Sequence, residues 1–131
     1  MNGAEWRERL AGARVAVLGT GAGRLVPVCF AVDEGGERAW SAVDSKPKRT
    51  TELARLADVR AMGTATLLVH QWDEDWDRLW WVRAGGPARV LDAQPHAVEL
   101  LRAKYPQYAN HPLDAAVLEI DLRDWQGWSA S

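Results

Sequence analysis

Apolar and polar residues alternate along much of this 131-residue chain, and helical spacing interrupts the alternation three times. Trp6, Leu10 and Ala13 fall on one side of a helix spanning about residues 4–13. Val15 to Leu18 reads as a strand, and the glycines of Gly19-Thr20-Gly21-Ala22-Gly23 as a hairpin turn into a second strand, Leu25 to Val32. Asp33-Glu34-Gly35-Gly36 is a second hairpin turn, leading to a third strand, Arg38 to Val43. Leu53, Leu56 and Ala57 recur at helical spacing, predicting a helix that ends near Val59. Thr64 to Trp72 is a buried strand. The acidic run Asp73 to Asp77 reads as a loop, although Trp72, Trp76 and Trp80 stand four apart. Leu79 to Leu91 alternates again, with a bulge at Gly85-Gly86-Pro87. Val98, Leu101 and Tyr105 mark a third helix between Asp92 and Tyr108. Ala116 to Trp125 is the last strand, with Leu118, Ile120 and Leu122 opposing Val117, Glu119 and Asp121.

About six mostly antiparallel strands with three short helices give a mainly β (α+β) domain spanning residues 1–131. A small barrel capped by helices is its most economical architecture. Gly19 to Gly23 resembles the start of a dinucleotide-binding βαβ unit. However, Arg24 occupies the place of the third glycine, and the β-branched, proline-interrupted run Leu25 to Phe30 follows where a helix is required.

Charge and composition exclude several functions. The net charge is −2, so no overall pull toward nucleic acid exists. No apolar stretch approaches the roughly 20 residues that span a bilayer, so no membrane partner is expected. Cys29, the single cysteine, lies in an apolar run and reads as a small core residue in a reducing, cytoplasmic setting. His70, His96 and His111 are scattered, and no metal site is assigned. No nucleophile is paired with a base, so no catalytic side chain is named, and an enzyme of this sequence would need a cofactor for the difficult chemistry. The chain carries 8 Trp against 2 Tyr and 1 Phe, a bias toward cores, interfaces and flat ligands.

The densest candidate chemistry is Asp44-Ser45-Lys46-Pro47-Lys48-Arg49-Thr50-Thr51. Pro47 suits the first position of a helix, whose opening amides lack intrahelical partners and lie at the positive end of the macrodipole. Lys46, Lys48 and Arg49 beside those amides, with the Thr50 and Thr51 hydroxyls, make a phosphate cradle. The alternative is a solvated helix start whose cations face water.

Two runs, Leu25-Val26-Pro27-Val28-Cys29-Phe30-Ala31-Val32 and Ala42-Val43-Asp44-Ser45-Lys46-Pro47-Lys48-Arg49-Thr50-Thr51, resemble the split β-barrel superfamily of pyridoxamine 5′-phosphate oxidase, whose members use FMN or deazaflavin. Asp73 to Ala84, Leu101 to Tyr108 and Trp125 to Trp128 resemble its coenzyme F420-dependent oxidoreductases. The resemblance implies a six-stranded antiparallel split β-barrel with about three short helices. It also implies a homodimer with the cofactor at the subunit interface, and hydride transfer between F420 and a small organic acceptor. Lys46, Lys48, Arg49, Thr50 and Thr51 would hold the cofactor's phosphate. Val26, Pro27 and Val28 would lie along the ring, with Trp80 and Trp81 as ring or interface contacts. Alternatives are an FMN-binding oxidoreductase of the same fold and a non-catalytic F420 binder or carrier.

Overall fold

A computed structural model describes residues 1–42, 50–113 and 116–131, without the side chains of 50–53. Eight antiparallel strands and three α-helices follow one another as α1 (Gly3–Gly12), β1 (Ala16–Thr20), β2 (Leu25–Val28), β3 (Ala31–Val32), β4 (Arg38–Ala42), α2 (Thr50–Met62), β5 (Thr64–Gln71), β6 (Trp80–Leu91), α3 (Pro95–Lys104), β7 (Val117–Asp121) and β8 (Asp124–Ser129). The sheet runs β2-β1-β5-β6-β7-β4-β3, with β8 paired to β6. Its first and last strands are separated in sequence only by Cys29 and Phe30, so the sheet curls until both ends meet one bent stretch of chain.

The strand count exceeds the expected six for two reasons. Leu25 to Val32 is not one strand, because the chain bends at Cys29–Phe30 to pair with β1 on one side and β4 on the other. The bend is held by Tyr105: its hydroxyl accepts from the Phe30 N–H at 3.1 Å and lies 3.0 Å from the carbonyls of Phe30 and Arg14. A buried backbone that leaves the ladder still needs partners, and here one phenol supplies them. The second addition is the tail. The last strand ends at Asp121, the chain turns, and Asp124–Ser129 forms a strand of its own beside β6.

The turn sits against the expected bulge. β6 is one strand of 12 residues, pairing with β8 through Trp80–Gly85 and with β7 through Ala88–Leu91. A Cβ at Gly85 would come within 2.5 Å of Thr66 Oγ1, and one at Gly86 would fall on the Asp121 carbonyl. Two glycines thus let the strand change partners without displacing its neighbours.

The inner face of the curled sheet is filled by Leu18, Leu67, Val69, Val82, Leu118 and Ile120, closed over by Leu10 of α1 and by Leu56 and Val59 of α2. A second apolar layer lies outside the sheet, where Ala97, Leu100 and Leu101 of α3 cover Ala31, Trp40 and Val117. Among the described residues, no helix is long and apolar enough to cross a membrane. Cys29 corrects its sequence reading: it sits at the bend and is exposed, because leaving the ladder turns its side chain away from the core that Phe30 enters.

Candidate functional site

Directly opposed residues of antiparallel strands share a face, so register alone defines the outer surface of β2, β1, β5, β6 and β8. One row across it is Pro27, Val17, Leu68, Arg83 and Gln126, and a second is His70, Trp81 and Trp128. Leu25 is 74% exposed and Trp128 46%, so large apolar groups lie bare on this flat face. Arg83 donates a hydrogen bond to the Gln126 carboxamide, and its guanidinium lies 5.6 Å from the Trp81 ring centroid. A cavity of about 200 Å³ opens at the edge of this face, lined by Thr64, Thr66, Arg83, Gly85, Gly86 and Asp124. That is below the roughly 300 Å³ at which cofactor-sized pockets begin.

The structure divides the expected ring contacts between two faces. Pro27 points outward, opposite Val17. Val26 and Val28 pair with Leu18 and Ala16, face inward and belong to the core packing. The tryptophans divide in the same way. Trp81 is on the outer face, whereas Trp80 shares the inner side with Val82 and Ala84 and packs against the core. The Arg9 guanidinium of α1 covers Trp80 at 4.8 Å from its ring centroid. The period of two forces these divisions, since adjacent residues of a strand cannot share a face. Lys46, Lys48 and Arg49 lie outside the described residues. The backbone of Thr50 and Thr51 forms the first turn of the 13-residue α2, and the side chains of both lie outside the description.

Two clusters escape the sequence reading. On the outer face of β4, β7 and β6, the buried Glu119 carboxylate accepts from Trp40 Nε1 at 2.8 Å and from Arg89 Nε at 2.5 Å. Arg89 also binds Asp121 at 2.7 Å, and Arg38 and Arg123 reach the same carboxylate. Burial by itself raises the Glu119 pKa, but the hydrogen bonds from Trp40 and Arg89 and the charges of Arg89 and Arg38 outweigh it and hold the carboxyl below its ordinary range. The alternation of Glu119 and Asp121 placed them on one face. Nothing local in sequence signalled Trp40, 79 residues away.

The second cluster surrounds the bend. Lys104 Nζ lies 3.8 Å from the Phe30 ring centroid and makes no hydrogen bond. Burial, reinforced by the nearby Arg14 charge, lowers its pKa to about 8. Arg14 also stacks over Tyr105 at 4.7 Å and donates to the Lys104 carbonyl at 2.9 Å. Burial pushes the Tyr105 phenol upward, so it remains a neutral hydrogen-bonding group. Among the described residues, no group of His, Cys, Asp and Glu has the arrangement of a metal site.

No family model matches the chain, and no curated protein matches it by sequence. Solved structures do match its fold. A conserved hypothetical protein of Mycobacterium tuberculosis superimposes with a TM-score of 0.72 at 20% identity, over 99% of this chain and 86% of that one. An FAD-binding protein of Mycobacterium smegmatis gives 0.63 at 12% identity, over 98% and 96%. A candidate pyridoxamine 5′-phosphate oxidase of Corynebacterium glutamicum gives 0.60 at 15% identity, over 97% and 88%. The chain therefore has the fold of FAD-binding and pyridoxamine 5′-phosphate oxidase-like proteins.

Proposed function

We propose that this protein is a flavin-dependent oxidoreductase that binds FMN and passes reducing equivalents to a small organic acceptor. The observation that carries the reading is the match of nearly the whole chain to the fold of an FAD-binding protein. This favours a flavin over the coenzyme F420 that the sequence resemblance suggests, because the Mycobacterium smegmatis protein of this fold is FAD-binding. The residues fit such a group in kind. Pro27, Val17, Leu68 and Trp81 offer a flat apolar surface for a ring. Lys46, Lys48 and Arg49, leading into the amides of α2, offer a cradle for a phosphate. When bound, the flavin supplies the hydride chemistry. The chain's own residues bind the phosphate, orient the ring and exclude water from one side of it.

The site is completed by a second copy. A face bearing Leu25 and Trp128 at 74% and 46% exposure is costly to leave in water, and the adjoining cavity is too small to enclose a ring alone. Both features support a reading in which the cofactor lies in the interface of a homodimer.

Titration with FMN, FAD and F420, followed by visible absorbance, tests the reading. FMN should bind most tightly and show a perturbed flavin spectrum. Replacing Lys48 and Arg49 together by Ala should weaken it by about two to four decades, because charge-assisted contacts contribute about 1.5–3 kcal/mol each. Tighter binding of F420 than of FMN would return the deazaflavin reading. Binding without accelerated reoxidation by any quinone or enone would make the protein a carrier.

A further inference from the structure

The loop between β5 and β6 spends its hydrogen bonds on holding two indoles in water. Trp72 and Trp76 are 63% and 66% exposed, with ring centroids 6.5 Å apart and planes inclined at 62°. The loop is tied internally. Asp73 accepts from the Asp75 N–H at 2.8 Å, Asp75 accepts from the Asp77 N–H at 3.1 Å, and Gln71 Nε2 donates to the Arg78 carbonyl at 2.9 Å. Glu74 fixes one ring by accepting from Trp72 Nε1 at 3.2 Å. Among the described residues, neither ring packs into any of the three apolar clusters.

The two rings meet edge to face, and charge narrows what their exposed faces can receive. Asp73, Glu74, Asp75 and Asp77 share the loop with the rings, against one cation of the loop, Arg78, which is 3.6 Å from Asp73. Anionic lipid headgroups and nucleic acids are repelled by such a loop. A cation on a flat or apolar stem is attracted twice, by the ring faces and by the carboxylates. Arginine fits best, because its planar guanidinium stacks on an indole while its N–H groups reach carboxylates at the edge. Aromatic anchors of this kind dominate protein interfaces.

We propose that the Trp72–Trp76 loop is a docking site for a partner protein that stacks an arginine side chain on the exposed face of this indole pair. This inference does not rest on the flavin reading. The test is titration of the full chain with the peptide acetyl-Gly-Arg-Gly-Arg-Gly-amide, followed through the indole N–H resonances of Trp72 and Trp76. Trp72→Phe and Trp76→Phe variants assign those resonances. Both should shift with the arginine peptide. A peptide with neutral citrulline in place of arginine should bind about twofold to fivefold more weakly, as expected for one exposed cation–π contact. Glu74→Gln with Asp77→Asn should weaken binding and flatten its salt dependence without changing the melting temperature. Unmoved resonances, or equal shifts from the citrulline peptide, would overturn the proposal. So would binding of phosphatidylserine vesicles through these rings. A Trp72→Ala, Trp76→Ala variant that dissociates a homodimer would overturn it too, by making the loop a contact between copies.

Discussion

The two halves of the curled sheet are built alike and finished differently. Around β4, β7 and the end of β6, the outer face is roofed by α3 and sealed by Glu119, Arg89 and Asp121. Around β2, β1, β5 and β8, no described residue roofs the outer face, and Pro27, Leu25, Trp81 and Trp128 meet solvent. The inner face is the same continuous core beneath both. The covered half thus gains a second packed layer, and under the proposed function the uncovered half is the one left for recognition. Substitutions in the first should cost folding, and substitutions in the second should cost association.

The largest effect should come from Glu119→Ala. It leaves Trp40 Nε1 without its carboxylate beneath a helix, and Arg89 with Asp121 alone. Breaking a buried pair costs about 3–5 kcal/mol, and the lower end applies because the Arg89 side chain is 38% exposed. Urea denaturation should show it as a lower midpoint at unchanged slope. The sign with pH follows from a carboxyl held below its ordinary value of 4.5. Its stabilisation is present above that value and is lost as pH falls through the folded-state pKa. Glu119→Gln should accordingly flatten the acid limb of the stability curve. A loss below 1 kcal/mol would break the contrast from the covered side.

Leu25→Lys combined with Trp128→Lys tests the bare side. Folding stability of the monomer should stay within about 0.5 kcal/mol, as for surface positions. Dimer dissociation should worsen by about thirtyfold or more, the scale of one central interface anchor. If the monomer unfolds instead, this face belongs to the core of the single chain.

Tyr105→Phe sharpens the comparison at the boundary of the two halves. It deprives the Phe30 N–H of its partner at the bend and should cost about 1–2 kcal/mol, within the range for a buried donor left unpaired. Hydrogen exchange should accelerate at Phe30 before it does in β5 or β7.

The last effect, at Lys104, appears only at alkaline pH. A lysine whose folded pKa is lowered to about 8 from 10.5 binds fewer protons folded than unfolded between those values. Stability should therefore rise with pH across that window, and Lys104→Met should remove the slope. A slope that persists in the variant would assign it to another group.

The comparison also explains what could be read in the sequence. Strands β1, β5 and β6 are legible because they bury alternate residues, β4 and β7 as short apolar-rich runs buried on both faces, and the hairpins because their glycines mark turns. Gly85-Gly86 was legible as a bulge, although its function as a change of pairing partner depends on Asp121 and Thr66, remote in sequence. The break at Cys29–Phe30 was not legible, since it is enforced by Tyr105, 75 residues on. Cys29 followed its apolar neighbours in the reading and was misassigned for that reason. Of the site, the cations of Lys46, Lys48 and Arg49 stand out by charge alone. The ring contacts could be located only to a strand, and a residue-by-residue assignment to a face needed the register that separates Pro27 from Val26 and Trp81 from Trp80.

Under the proposed function, the bare face closes over a flavin between two copies of the chain. Sedimentation equilibrium with FMN, recorded at a protein wavelength and at a flavin wavelength, measures both parts together. The account predicts that flavin absorbance travels with a species of twice 14.5 kDa, at one flavin per chain, and that Leu25→Lys with Trp128→Lys releases both dimer and flavin. Flavin sedimenting with a 14.5 kDa monomer, or a dimer that carries none at saturating FMN, would contradict it.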